Sequence, residues 1–203
     1  MIEDFEYIER ADNIQAGVEQ TTSAERLDLT VTKEFCDVCE FEDRTAWAVQ
    51  NFLERDAYRE PPYAEASVEQ RAEYMREFHD NFNEMSGYSD NLHFSNGMRW
   101  NNLGAFSPGS KRIELNARLL NESNPRNLME TIMHESRHAY QDYAVNHPEK
   151  VSVDPRTIAI WDYNFKHYIS AEYDYEAYYH QPVEADANDF ANRMYEQGAQ
   201  YAP

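Results

Sequence analysis

The segment from Asn124 to Asn146 constrains the fold more than any other part of this 203-residue chain. Asn124 is a good helix N-cap, Pro125 suits the first helical position, and Pro148 bars continuation much beyond Asn146. Between these punctuation marks two apolar rows run at helical spacing. Leu128, Ile132, Ala139 and Tyr143 form one row, and Met129, Met133, Tyr140 and Ala144 form the other. A helix that is apolar around most of its circumference must be covered on nearly every side, so the rest of the chain is predicted to pack around it.

Set into these rows is His134-Glu135-Ser136-Arg137-His138. Four residues apart, the two histidines share a helix face and differ by ~6 Å in rise, so both imidazoles can reach one metal ion. Zinc suits them, because imidazole nitrogen is a good ligand and a third protein ligand still leaves a position open for water. Glu135 then lies beside that open position, where it can take the proton of a metal-activated water. With 7 histidines in the chain, an accidental H-E-x-x-H has a probability of only ~3%. Two histidines and a glutamate in a covered helix would also be costly without a partner.

A catalytic zinc needs a third protein ligand, and Asp142, His147, Glu184, Asp186 and Asp189 are the downstream candidates. Asp142 is rotated toward the Leu128 row. His147 follows His138 without the glycine turn of the H-E-x-x-H-x-x-G-x-x-H pattern. Glu184 is best placed, on the first turn of a last helix that opens at Pro182, buries Val183, Ala187, Phe190, Ala191 and Met194, and ends at Gly198. Arg137 faces away from the apolar rows, as an exposed or ion-paired residue would.

The remaining chain reads as α+β. Residues from about 20 to 90 are predicted to be mainly helical, with one helix from Arg44 to Tyr58 stopped by Pro61 and Pro62. A second opens at a Ser67/Gln70 capping box, carries Val68, Ala72, Met75, Phe82 and Met85 on one row, and ends at Gly87. His79 in that helix is expected to be a packed histidine rather than a ligand. From Tyr88 to Asn116 the composition shifts to Gly, Asn and Ser around short apolar runs at Leu103–Phe106 and Ile113–Leu115. The turn Ser107-Pro108-Gly109-Ser110 would join them as a hairpin. We therefore expect a helical part over 1–90 and a catalytic part over 91–203, folding as one cooperative unit.

Charge narrows the partners. With 38 acidic against 18 basic residues the formal charge is −20, which disfavours nucleic acid and anionic membrane surfaces and leaves a peptide or protein as the expected substrate. No run approaches the ~20 apolar residues of a membrane span, and the first residues lack the pattern of a signal peptide. The chain as written reads as cytoplasmic; secretion or delivery would follow if it is part of a longer protein. Cys36 and Cys39, the only cysteines, form a lone C-x-x-C without a second ligand pair and are expected to be incidental to the chemistry.

His134 to His138 together with Glu184-Ala185-Asp186-Ala187-Asn188-Asp189-Phe190-Ala191 resembles a zincin of the glutamate-ligand group. The E-x-x-A-N-x-F-A run is similar to that of ImmA/IrrE-type metallopeptidases, and the resemblance spans roughly residues 100 to 197. The gap from His138 to Glu184 is longer than in that pattern. H-E-x-x-H-A-x-Q and P-x-E-x-D-A, here His134 to Gln141 and Pro182 to Ala187, are similar to zincin-like effector or toxin domains. The resemblance implies a small twisted sheet with an edge strand near residues 112 to 116, and a substrate peptide that adds to that strand. It further implies Zn2+ held by His134, His138 and Glu184, with Glu135 as general base and Asn188 orienting a ligand. Zincins also use a Tyr or His to stabilise the oxyanion. Tyr173, Tyr175, Tyr178, Tyr179 and His180 are the candidates, Tyr179 and His180 foremost because they adjoin Pro182. The alternative is a protein of this fold that binds without turnover, against which the presence of Glu135 weighs.

Overall fold

The computed structural model describes residues 38–83 and 90–200, with backbone only for residues 38–40 and 82. It is α+β and mostly helical. Helices α1 (Val38–Asp56) and α2 (Val68–Asn83) precede strands β1 (Asn91–Ser95), β2 (Gly104–Ser107) and β3 (Arg112–Asn116). Helices α3 (Arg126–Asn146), α4 (Pro155–Lys166), α5 (Tyr175–His180) and α6 (Pro182–Ala199) follow. Among the described residues no helix is long and apolar enough to cross a membrane. Cys36 lies outside the described residues and the Cys39 side chain is not described, so the C-x-x-C expectation falls outside them too.

Local rules account for the helix starts. Ser67 Oγ accepts from the Gln70 backbone N–H at 3.2 Å while Gln70 Oε1 accepts from the Ser67 N–H at 3.0 Å, the reciprocal pairing of a capping box. Asn124 Oδ1 accepts from the Arg126 N–H at 2.9 Å and opens α3. Helix α4 went unread in the sequence, although Asp154-Pro155 is a cap signal: the Asp154 side chain accepts from the Arg156 N–H, and Ile158 and Trp161 turn inward behind it. Val68 departs from its expected row and is 40% exposed, because α2 buries Ala72, Met75, Phe78 and His79 instead.

Helix α3 is the centre of the core, packed on α6, α4, α2 and the sheet, while α1 lies against α6. Both of its predicted apolar rows are buried except for the partly exposed Tyr143. Phe41 of α1 stacks on Tyr140 of α3 and on Phe190 of α6, each at 5.2 Å between ring centroids, and ties the three helices together. Gly198 does not end α6 as expected. The helix runs on to Ala199, and a Cβ at Gly198 would lie 2.5 Å from both the Ala46 carbonyl oxygen and Val49 Cβ of α1. Its role is close helix packing, so Gly198→Ala should lower stability by ~1–3 kcal/mol, the usual cost of overpacking, read from urea midpoints. An unchanged midpoint would show that α1 can simply shift.

The sheet corrects one expectation. Its strand order is β1-β3-β2, with β1 parallel and β2 antiparallel to β3. Residues 112 to 116 are therefore the central strand, and β2 is the edge beside α3. Central placement follows from burial: Ile113 and Leu115 are fully covered, as a strand flanked on both sides should be. The Asn116 N–H donates to the Leu103 carbonyl at 2.8 Å, which sets the phase of the antiparallel ladder. In that phase the backbone groups of Gly104 and Phe106 point away from β3, toward the edge that no other strand pairs among the described residues.

Candidate metal centre

His134 and His138 project from one face of α3, and Glu184 meets them from the first turn of α6. The two Nε2 atoms lie 3.0 Å apart, Glu184 Oε2 is 3.2 Å from His134 Nε2, and Glu184 Oε1 is 3.3 Å from His138 Nε2. Zinc bonds of ~2.0–2.1 Å at tetrahedral angles put donors ~3.3 Å apart, so the triangle has the right size for that ion. The donor set is also right, two imidazoles and one carboxylate. Glu184 Oε2 is buried without a hydrogen bond, facing His134. The histidine side chains keep 16% and 11% exposure against 2% for Glu184, so the triangle is open on its histidine side.

The other candidate ligands are engaged elsewhere. Asp186 pairs with Arg137, Asp189 with Arg193, Asp142 is bonded by Asn146, and His147 caps α3 beside Glu149. Arg137 is ion-paired as expected but not exposed: α4 and α6 cover it, and its guanidinium lies 5.0–5.5 Å from the ring centroids of Phe190, Tyr140 and Trp161. Burial pushes the Asp186 carboxyl up, but the Arg137 guanidinium outweighs this and holds it below the usual range.

Asp186 also anchors a chain that sets the tautomer of His138. Gln141 Nε2 donates to the Val183 carbonyl at 3.0 Å and to Asp186 Oδ2 at 2.7 Å, which fixes the amide so that Oε1 faces His138 Nδ1 at 2.9 Å. Nδ1 must then carry the proton, leaving the Nε2 lone pair for a metal. We predict that Gln141→Leu weakens zinc binding ~10–100-fold, as loss of an orienting partner does, and that Gln141→Glu, which keeps an acceptor for Nδ1–H, restores most of it. Equal affinity of wild type and Gln141→Leu in a competing-chelator titration would overturn this role.

Glu135 is 6% exposed and faces β2. A Cβ at Gly104 would lie 2.9 Å from Glu135 Oε1 and from Thr131 Cγ2, so only glycine lets the strand come this close. Burial raises the Glu135 carboxyl above the usual range, opposed by His134, His138 and the Phe106 backbone N–H. The His138 imidazole shows the reverse balance. Burial lowers it, but Glu184 and Glu135 outweigh burial and raise it to about 9. Despite burial, the two histidines hold Glu184 well below the usual carboxylate range.

The structure does not bring Tyr179 and His180 to this cluster. Tyr179 is 45% exposed and stacks on Tyr175, and His180 faces Glu176 on the same exposed side of α5. Adjacent helical residues differ by ~100° in direction, so Tyr178 turns inward where Tyr179 turns out. Tyr168, which sequence reasoning passed over, donates its hydroxyl to Glu184 Oε1 at 2.6 Å. Burial and then Glu184 push both the Tyr168 and Tyr178 hydroxyls far above their ordinary range, so both stay protonated donors. Among the described residues Asn188 makes no such bond to Glu184, whereas Tyr168 does. Nothing in the local pattern singles out Tyr168 among so many tyrosines, since it sits in the loop after α4.

No protein-family model, curated protein or solved structure matches this chain.

Proposed function

We propose that this chain is a zinc-dependent peptidase of the zincin kind, with His134, His138 and Glu184 as metal ligands and Glu135 as general base. The observation that carries the reading is the position of Glu135: its carboxylate sits beside a three-ligand cluster of zinc dimensions and against the free edge of a strand. A structural metal site needs neither of these neighbours.

Zinc held by these ligands would supply a Lewis acid for water and for the scissile carbonyl. A substrate peptide adds to β2, where Gly104 and Phe106 turn backbone groups outward, rather than to β3. Glu135 takes the proton of the attacking water and returns it to the leaving amine. Its raised carboxyl pKa favours the first transfer. Tyr168 commits its one hydroxyl proton to Glu184, so Tyr178, whose hydroxyl lies beside the same carboxylate, is the donor left for the developing oxyanion, the part sequence assigned to Tyr179 and His180.

Elemental analysis of purified protein should find about one zinc per chain, lost in His134→Ala, and chelation should stop cleavage of a peptide mixture until zinc is restored. Wild-type protein that holds zinc but cleaves nothing would support the non-hydrolytic alternative. Protein that binds no zinc would remove the reading altogether.

A further inference from the structure

A cavity of about 130 Å³ lies one helical turn beyond Glu135, lined by Asp90, Phe106, Lys111, Ala139, Asp142 and Tyr143, with Asn146 and His147 at its end. Its place is set by α3. Ala139, Asp142, Tyr143 and Asn146 continue the Glu135 face along the helix, four residues rising ~6 Å. Phe106 joins the cavity to the site, since its side chain lines the wall while its backbone N–H meets Glu135. Residues on one face of an extended peptide are ~6.6–6.8 Å apart. A strand seated on β2 with its scissile bond at Glu135 would thus reach the cavity with a side chain next to that bond.

The lining identifies the guest. Asp90 is almost wholly enclosed, its side chain 1% exposed; Oδ1 is 2.6 Å from His79 Nε2, while Oδ2 is buried with no hydrogen-bond partner. Asp142 is half-buried, and burial raises its carboxyl in spite of Asn146, Lys111 and His147. Lys111 stands within 4 Å of no carboxylate among the described residues, and it sits at the hairpin corner with φ of 48°. Two carboxylates and one ammonium face the cavity, with the His147 imidazole at its end and His79 against Asp90 Oδ1, so Asp90 Oδ2 is the acceptor left unmatched. A buried acceptor without a donor is a cost that an incoming N–H group would relieve.

We propose that this cavity is a binding subsite for a lysine or arginine side chain, placed next to the scissile bond of the substrate. The second half rests on the peptidase reading; the first does not. The excess of acidic residues in the chain, 38 against 18, adds a field that draws basic peptides toward the cavity.

Binding can be measured without turnover. Metal-free protein is titrated by NMR with three capped tetrapeptides identical except for one central Lys, norleucine or Glu. The Lys peptide should bind at least ~10-fold more tightly than the norleucine peptide, on the scale of a charged hydrogen bond, and shift the Tyr143 ring signals. Asp142→Asn should remove that preference, and Lys111→Asn, which also suits the positive φ, should strengthen it. Equal affinity for Lys and norleucine, or tighter binding of the Glu peptide through Lys111, overturns the inference. In a second arm, cleavage sites in a balanced peptide library are read by mass spectrometry with zinc-loaded protein. Lys or Arg enriched within two positions of the cut, and lost in Asp142→Asn, supports the placement; cleavage without such a preference overturns it. Zinc loss or absent cleavage bears on the peptidase reading alone, because the NMR titration decides the basic subsite independently.

Discussion

Glu135→Gln is expected to lower kcat/KM by ~10²–10⁴-fold while leaving zinc content and unfolding midpoint close to wild type. The amide matches the carboxylate in shape, so the close contact across Gly104 is retained. It cannot take a proton at neutral pH, and it also removes the negative charge that raises His138, while size and packing are kept. Burial has already raised this carboxyl, with His134 and His138 opposing, so the wild-type group is a better base than a solvated glutamate. Undiminished turnover with one zinc bound would take the general-base role away from Glu135. The ligand cluster would then need a different account.

The second large effect belongs to Glu184. Glu184→Ala should leave less than ~10% of wild-type zinc after dialysis, since three protein ligands would fall to two. Asn188→Ala, one turn along α6 and without a bond to Glu184, should keep zinc. Retention of zinc by Glu184→Ala would show that the carboxylate is only a partner for the histidines. The pH dependence has a defined sign. In the metal-free protein the His138 pKa is raised from 6.5 to about 9, so its proton stabilises the folded state fully below pH ~6.5 and that contribution fades as pH rises through about 9. Zinc must displace this proton, so calorimetry near pH 7 should record close to one proton released from His138 on binding, and affinity should fall as pH is lowered. No dependence of the binding enthalpy on buffer ionisation would contradict this.

Much of the site was legible locally. The cap at Asn124, the two apolar rows and the four-residue spacing of His134 and His138 are properties of one helix, and helical geometry converts spacing directly into direction. The same holds for Glu184, whose place beside Val183 and Ala187 puts it at the buried boundary of α6. The capping box at Ser67 and the β2–β3 hairpin are likewise short-range.

What escaped were relations between elements. β3 reads as an edge strand until β1, a short strand whose two apolar residues, Leu92 and Phe94, are not consecutive, pairs with it in parallel from the other side. Arg137 reads as surface until α4 and α6 close over it, and Gly198 reads as a helix end until α1 lies against it. Tyr168 and Tyr179 cannot be ranked by sequence, because which hydroxyl reaches Glu184 depends on the rotation of α5 and the path of the loop before it. The helix that carries the histidines, the position of Glu135 beside them, and the apolar rows that bury α3 and α6 are all readable from residue order, because they follow from bonds and periodicity within a few turns. Which strand lies at the edge of the described sheet, which tyrosine meets the carboxylate, and how Asp186 and Gln141 hold His138 emerge from the packing alone. Each of those depends on how elements far apart in the chain are packed against one another, and no local periodicity encodes that.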